Sequence, residues 1–374
     1  MKIAIFESIV TPGGHEHDFD KMLIRECLQA GHDVELIVPE GYPFKLDYGV
    51  PVRHLRGEAV SYAGVSGLKK TILAATREIR RVKWFNQLAD YTSHNNLDVI
   101  IIPTATYRFL RSIRYSRLSR TPIPIVPIMH GINPREKPNF LNQITALKHF
   151  REIKPVVITL NEQVFSNFDT IHCLLPPYYP PETGINTASD NKVIKLGFFG
   201  QYRREKNLDA FLDVFLQCSF TNPVEILIQG ATSLPEDEAD FLRIQEKYGG
   251  DSRITFLHKS LIGQEWQKAI AAVDMLIMPY SAERYRYHWS AMLFTAIGFC
   301  KPVIVADTIN PEVLAHYNIG MAFNPQAKDA LQQVLEQFVN TYPEQKAHYI
   351  AELEKACTAY APSNFVRGLL TLKG

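Results

Sequence analysis

The sequence predicts an α/β protein with two doubly wound parallel sheets, one in each half of the chain. Its 374 residues exceed the size of an ordinary single domain. In both halves, short apolar runs typical of strands alternate with stretches of helical apolar spacing, a pattern that favours parallel strands with crossover connections. We therefore expect an N-terminal domain over 1–181, a polar linker over 182–191, a second domain over 192–345, and C-terminal helices over 346–374 that pack back towards the first domain.

The composition is that of a globular protein in a reducing compartment. Hydrophobic residues make up 46% of the chain, and the formal net charge of +1 identifies no class of partner. No apolar run approaches the roughly 20 residues of a membrane span, and the opening segment is too short for a secretory signal. We expect a cytoplasmic protein, or one peripheral to the inner face of the membrane. The scattered cysteines argue against a disulfide framework and a zinc site; they are Cys27, Cys173, Cys218, Cys300 and Cys357.

The first predicted strand and helix are separated by a glycine turn. Lys2 to Phe6 predicts a strand, and Phe19 to Leu28 has apolar residues at helical spacing. Gly13 and Gly14 lie between them, where they would let a phosphate or an acceptor approach the backbone at the start of the helix. A tight turn without a ligand also needs such residues, so both interpretations stay open.

The region from Arg53 to Arg120 is strongly basic, with 13 Arg and Lys against 4 Asp and Glu. Lys69 to Leu88 is predicted to be a helix that carries apolar residues among the basic ones. From Arg108 to Arg120, arginine recurs at every third position, which on a helix spreads the charge around the circumference. An anionic membrane or a phosphorylated acceptor would suit this surface, and so would plain solvent. Nucleic acid is disfavoured, because the overall charge is balanced and no nucleic-acid motif is present.

A histidine ends one of the predicted buried strands of the first half. The apolar run from Ile123 to Met129 is followed directly by His130 and Gly131. A side chain at the carboxyl end of a strand faces the crevice in which α/β sheets bind ligands. His130 is therefore a candidate general acid or base, a candidate orienting donor, or a packed histidine.

The second half contains two turns that suit a diphosphate. Val193 to Gly200 predicts a strand, and the turn after it carries Arg203 and Lys206. Further on, a strand ending near Met278 leads through a polar and aromatic loop to a predicted helix capped by Ser290. The free backbone N–H groups of a helix start, together with nearby cations, can bind an anion. A solvated loop followed by a capped helix is the simpler interpretation.

The sequence resembles a known family of enzymes. The order of elements is similar to that of the GT-B glycosyltransferases, and two segments resemble family 4, whose members are retaining enzymes that use nucleotide sugars. These segments are GQYRREKNLDAFLDVF and MPYSAERYRYHWSAMLFTAIGFCKPVIVAD. The resemblance covers nearly the whole chain and implies two Rossmann-like domains that face a central cleft.

The chain also departs from the family pattern. A Glu-x7-Glu pair usually marks the donor domain, whereas Tyr287 and Thr295 occupy those positions here. Gln201 replaces the arginine that usually follows the loop glycine, and Ala291 replaces a glycine at the helix start. Lys206 stands at its expected position.

The resemblance implies an active, metal-independent glycosyltransferase that moves a sugar from a nucleotide-diphosphate sugar to a glycan or lipid-linked acceptor. It places His130 at the reacting sugar as a catalytic residue. No cofactor is expected, and the leaving diphosphate would be stabilised by fixed cations and backbone donors. The implied donor-binding residues are Arg203, Lys206, Tyr285, Ser290, Ala291 and Thr295.

Other interpretations stay open. The lost glutamates suggest a catalytically lapsed GT-B protein that binds a glycan or serves as a partner subunit. An inverting enzyme would need a base, for which Glu7 or Glu16 near the first turn would serve. A dinucleotide oxidoreductase is disfavoured, because no G-x-G-x-x-G follows either first strand.

Overall fold

A computed structural model describes most of the chain, which divides into two compact units. The first unit comprises the described residues up to Pro176 and those from Pro362 onwards. The second comprises those from Pro177 to Ala361. The division falls before the predicted 182–191 linker. Residues 346–359 belong to the second unit, whereas the last helix belongs to the first. The described residues are 1–10, 16–43, 47–60, 65–188, 192–280 and 287–372.

The first unit contains a seven-stranded parallel sheet in the order β3-β2-β1-β4-β5-β6-β7. The reversal of order beside β1 is that of a doubly wound sheet. Its central strands are buried along their length, which explains why they appear in the sequence as unbroken apolar runs. The strands are β1 Lys2–Phe6, β2 Asp33–Glu40, β3 Val52–Glu58, β4 Val99–Ile102, β5 Ile125–Met129, β6 Val156–Ile158 and β7 His172–Leu174.

Helices cover this sheet, and the chain terminus contributes one of them. The ring of Phe19 meets that of Phe365 edge-on, with 5.8 Å between the centroids, and joins the first helix to the last. The predicted basic helix after Lys69 is present. The arginine run that follows is not one helix, because the helix Tyr107–Arg114 is followed by a 3₁₀ turn at Arg117–Arg120. The helices are α1 Glu16–Gln29, α2 Gly67–His94, α3 Tyr107–Arg114, α4 Lys137–Leu147 and α11 Pro362–Thr371.

The second unit contains a six-stranded parallel sheet in the order β10-β9-β8-β11-β12-β13. The order reverses beside β8, so this sheet is also doubly wound and the predicted fold class is confirmed. The neighbouring carboxyl ends of β8 and β11 therefore lie at a switch point, where such sheets bind ligands. The strands are β8 Ile194–Phe198, β9 Val224–Gln229, β10 Ile254–Leu257, β11 Met275–Met278, β12 Val303–Ala306 and β13 Gly320–Phe323.

The helices of the second unit alternate with its strands, and a buried lysine holds the segment that precedes β8. Lys301 Nζ donates to the carbonyls of Thr187 and Ala271, at 2.7 and 3.0 Å. No helix in the described ranges is long and apolar enough to cross a membrane. The helices are α5 Leu208–Gln217, α6 Pro235–Tyr248, α7 Gln264–Ala271, α8 Ala291–Gly298, α9 Pro311–His316 and α10 Ala330–Ala359.

Candidate functional site

A glycine at the end of β8 opens the candidate site of the second unit. Gly200 has φ +100°, a conformation that favours glycine, and its N–H donates to Gln229 Oε1 at 2.9 Å. A Cβ placed on Gly200 would lie 3.3 Å from Lys206 Nζ and 3.8 Å from Met292 Sδ. The glycine therefore brings the β8 turn close to both the buried lysine and the first turn of α8.

Lys206 is 5% exposed and ends the 3₁₀ turn Arg204–Lys206. Its ammonium donates to the Phe199 carbonyl at 3.1 Å and lies 5.2 Å from the centroid of the Tyr280 ring. The carbonyl and the ring face hold the cation in place. A buried positive charge at the switch point is suited to an anionic ligand.

Met292 places the first turn of α8 beside the same glycine as this lysine. Ser290 is the N-cap, as predicted, since its Oγ accepts from the Leu293 N–H at 3.4 Å. The Ser290 N–H donates to Asn310 Oδ1 at 2.7 Å, and Asn310 Nδ2 donates to the His288 carbonyl at 3.4 Å. Asn310 therefore fixes the loop that leads into α8.

Asn310 is a residue that the sequence analysis missed. It is 5% exposed and has φ +42°, a left-handed conformation that asparagine tolerates better than most residues. Its only sequence signal is its place before Pro311 at the start of α9, which is typical of a turn. Nothing local indicates that its side chain reaches back to Ser290.

Two other predicted donor-binding residues form their contacts with near neighbours in the chain. Arg203 is on the exposed side of the turn, where its Nη2 donates to Gln201 Oε1 at 3.3 Å and its Nη1 lies 3.7 Å from Glu205 Oε1. Thr295 is buried, and its hydroxyl donates to the Ala291 carbonyl at 2.8 Å within α8. Ala291 is the first residue of α8. Tyr285, Gly13 and Gly14 lie outside the described residues.

The first unit has a second group of polar atoms at its strand ends. Glu7 follows β1, Pro103 follows β4 and His130 follows β5, and these three strands are neighbours in the sheet. His130 Nε2 lies 2.8 Å from the Pro103 carbonyl oxygen. Because a carbonyl only accepts, Nε2 carries a proton in this arrangement. The ring of Phe19 packs against the imidazole, with 4.6 Å between the centroids.

Two buried carboxyl groups lie in the same unit. Glu7 Oε1 accepts from the Ser8 and Ile9 N–H groups at 2.5 and 2.6 Å. Among the described residues, Glu7 Oε2 and both carboxyl oxygens of Asp20 have no hydrogen-bond partner. Burial raises the pKa of Glu7 to about 8, and burial together with the charges of Glu7, Glu16 and Asp18 raises the pKa of Asp20.

These pKa shifts bear on the inverting alternative. A carboxyl group whose pKa is about 8 keeps its proton at neutral pH. Glu7 is therefore a proton donor under those conditions and is poorly suited to act as the base of an inverting reaction.

The Glu7→Gln variant should make folding stability less dependent on pH. The pKa of Glu7 rises from an ordinary 4.5 to about 8 in the folded protein, so the folded state holds a proton that unfolding releases between those values. The parent should lose stability as pH rises through this window, by up to about 4 kcal/mol between about pH 5 and pH 8. Glutamine keeps the shape and cannot ionise, so urea unfolding at several pH values should show a shallower fall.

The matched control is Glu225→Gln, which alters an exposed carboxylate on β9 that lies 3.8 Å from the Lys195 ammonium. It should leave the parent's pH dependence in place. Asp20 contributes in the same direction as Glu7, so the slope should decrease in Glu7→Gln without vanishing. An unchanged slope would show that Glu7 is ionised in the folded protein.

The residues around Lys206 in the second unit can bind an anion that carries two or more charges. The Lys206 ammonium supplies a full positive charge, and the start of α8 supplies backbone donors with the positive end of its dipole. Gly200 lets the ligand approach the backbone closely. Within the described ranges, no group of three or more His, Cys, Asp or Glu side chains is placed to hold a metal ion.

Comparisons with solved structures show the fold of the whole chain. It is similar to Anabaena Alr3699/HepE in complex with UDP, with a TM-score of 0.66, 15% identity and 99% of each chain covered. A Rickettsia africae glycosyltransferase gives a TM-score of 0.67 at 13% identity, with 100% of this chain and 98% of that chain covered. The catalytic domain of Arabidopsis thaliana starch synthase IV, bound to ADP and acarbose, gives 0.69 at 12% identity, with 100% and 98% covered.

No protein-family model matches the sequence, and no curated protein matches it significantly. The comparisons therefore show a similarity of fold along nearly the whole chain. The two-sheet architecture predicted from the resemblance is confirmed as the GT-B fold.

Proposed function

Because the chain has the GT-B fold, we propose that it is a glycosyltransferase that moves a sugar from a nucleotide-diphosphate sugar to a glycan or lipid-linked acceptor. The proposed setting is the synthesis of cell-surface polysaccharide or glycoconjugate at the cytoplasmic face of the membrane, with retention at the anomeric carbon. The observation that carries the proposal is the buried ammonium of Lys206 beside Gly200 and the start of α8.

The donor diphosphate would bind at these groups. Lys206 would contribute a charge-assisted hydrogen bond, and the N–H groups of the first turn of α8 would donate to the phosphate oxygens. Arg203 is partly exposed and weakly held by Gln201 and Glu205, so it can turn towards the same phosphate. The solved structures that share this fold include one bound to UDP and one bound to ADP. Uridine and adenosine diphosphate sugars are therefore the first donors to test.

The same groups would lower the barrier to reaction. As the bond between the sugar and the diphosphate breaks, negative charge grows on the leaving diphosphate. Lys206 and the N–H groups of α8 are already in place, so stabilising that charge costs no reorganisation. Neither a covalent enzyme nucleophile nor a metal ion is required in this proposal.

His130 of the first unit is the proposed catalytic residue at the reacting sugar. Since Nε2 carries a proton towards Pro103, the imidazole is oriented by the backbone. Such fixed orientation suits a group that must stabilise a transition state.

One observation favours a second candidate, a lapsed GT-B protein that binds a glycan or a partner enzyme. The positions of the family's glutamate pair hold Tyr287 and Thr295, and the Thr295 hydroxyl is bonded within its own helix. A protein of this kind would keep the fold without turnover.

A thermal-shift panel of nucleoside diphosphates and their sugars tests both candidates. A ligand that binds only the folded state stabilises it by about 2.7 kcal/mol at a concentration of one hundred times Kd. We expect a selective rise in Tm with one nucleoside diphosphate and its sugars, followed by slow donor hydrolysis or transfer. If no nucleotide shifts Tm, the donor site is wrong; selective binding without hydrolysis or transfer to any glycan would favour the lapsed protein.

A further inference from the structure

The N-terminal half of α2 exposes a stripe of large apolar side chains. Leu68, Ile72 and Ile79 are 77%, 57% and 58% exposed. At 100° per residue, their spacing places all three within an arc of about 40° on one side of the helix. Ala75 lies on the same stripe and is also exposed. Solvent alone gives no reason for such a stripe, since isolated exposed apolar residues are common but aligned ones are not.

The stripe is not needed for the core of the unit. The buried residues of α2 are Arg81, Trp84, Phe85, Leu88 and Ala89, all in its C-terminal half. By the same helical count most of them face the side opposite the stripe. The C-terminal half therefore anchors α2 to the sheet, while the N-terminal half presents its apolar side outwards.

Two exposed lysines flank the stripe. At 100° per residue, Lys69 and Lys83 lie within about 80° of its centre, and within the described part of the chain neither forms an ion pair. The sequence has no acidic residue between Glu58 and Glu78. The local surface is therefore positive as well as apolar.

Several arginines of the basic region from Arg53 to Arg120 already form ion pairs. Arg81 and Arg111 both contact Glu78, at 2.9 and 3.3 Å. Arg117 pairs with Asp90 at 2.7 Å. These arginines share their charge with carboxylates, whereas Lys69 and Lys83 beside the stripe do not.

We propose that residues 67–83 of α2 dock on an anionic lipid bilayer, with Leu68, Ile72 and Ile79 entering the boundary between headgroups and acyl chains. An outward apolar stripe bordered by lysines is the pattern of a helix that lies in a membrane interface. The lysines attract the anionic headgroups, and the apolar side chains supply the attachment that salt does not screen. A protein groove would satisfy the apolar stripe but would need acidic residues to match the lysines.

This docking is a property separate from the proposed reaction. It can be measured without donor or acceptor. Failure of the nucleotide panel would leave it standing, and failure of docking would leave the donor site standing. If both hold, the first unit would be positioned at a bilayer that contains a lipid-linked acceptor.

The test is flotation of the full chain with vesicles of phosphatidylcholine alone and of phosphatidylcholine with roughly a third phosphatidylglycerol. We expect binding to the anionic vesicles only, with part of it resisting added salt. Leu68→Gln/Ile72→Gln/Ile79→Gln should lower the partition coefficient at least about tenfold. Lys69→Gln/Lys83→Gln should lower it by a similar factor and reduce the salt dependence. An Ile72→Trp variant should show a blue-shifted emission with anionic vesicles.

The matched control is Leu216→Gln/Leu242→Gln, which removes two exposed leucines of the second unit that are 39% and 48% exposed. It should bind vesicles like the parent, and circular dichroism should confirm that every variant is folded. Parental binding by the apolar triple variant would overturn the proposal. So would an absence of binding to anionic vesicles, or a concentration-dependent dimer in sedimentation velocity that the apolar variant abolishes, since a second copy would then cover the stripe.

Discussion

Lys206→Met should weaken nucleoside diphosphate binding by about 10- to 150-fold, the equivalent of 1.5–3 kcal/mol for one lost charge-assisted contact. Methionine has nearly the same length and can pack between the Phe198 and Tyr280 rings, which now lie 5.5 and 5.2 Å from the ammonium. Because methionine nearly conserves the volume of the side chain, the unliganded protein should remain stable. Calorimetric titration of the nucleotide and urea unfolding of the free protein measure the two effects separately.

Lys195→Met is the control for this variant, since Lys195 belongs to β8 but is partly exposed and lies near Glu225. It should bind nucleotide like the parent. Equal affinity of Lys206→Met and the parent would place the diphosphate elsewhere. A large loss of stability in Lys206→Met would instead mean that its bond to the Phe199 carbonyl holds the turn together.

His130→Ala should lower kcat by about 100-fold or more while leaving the Kd of the donor nearly unchanged. A group that contacts the reacting sugar stabilises the transition state more than the bound donor, so its loss appears chiefly in turnover. The protein should still fold, because the histidine is only partly buried and its main packing partner is Phe19. Steady-state kinetics and donor titration together make the measurement.

His130→Asn separates the possible roles of the imidazole. Asparagine can still donate to the Pro103 carbonyl but cannot exchange a proton near neutral pH. Activity that survives in the asparagine variant and is lost in the alanine variant would indicate positioning, and loss in both would favour proton transfer. Near-parental turnover of His130→Ala would identify His130 as an ordinary packed histidine.

The sequence by itself determined the architecture and some of the turns that we propose bind the donor. Buried parallel strands must be apolar along their length, so β1, β8 and their neighbours are visible as runs. A helix N-cap needs a side-chain acceptor at one position, so Ser290 was predictable from its own neighbourhood. Lys206 was predicted from the resemblance and from its place after a strand that ends in glycine.

Only the tertiary structure decided which residues meet across the chain. The Asn310 side chain reaches the Ser290 N–H from 20 residues away, and no local pattern encodes such a bond. The protonation of Glu7 depends on its burial, together with the charge of Glu16. The sequence placed apolar and basic residues together on α2, but which side faces water depends on where Trp84 and Phe85 pack. Helical and strand periods are local properties, whereas burial and long-range hydrogen bonds arise only when the sheet and its helices assemble.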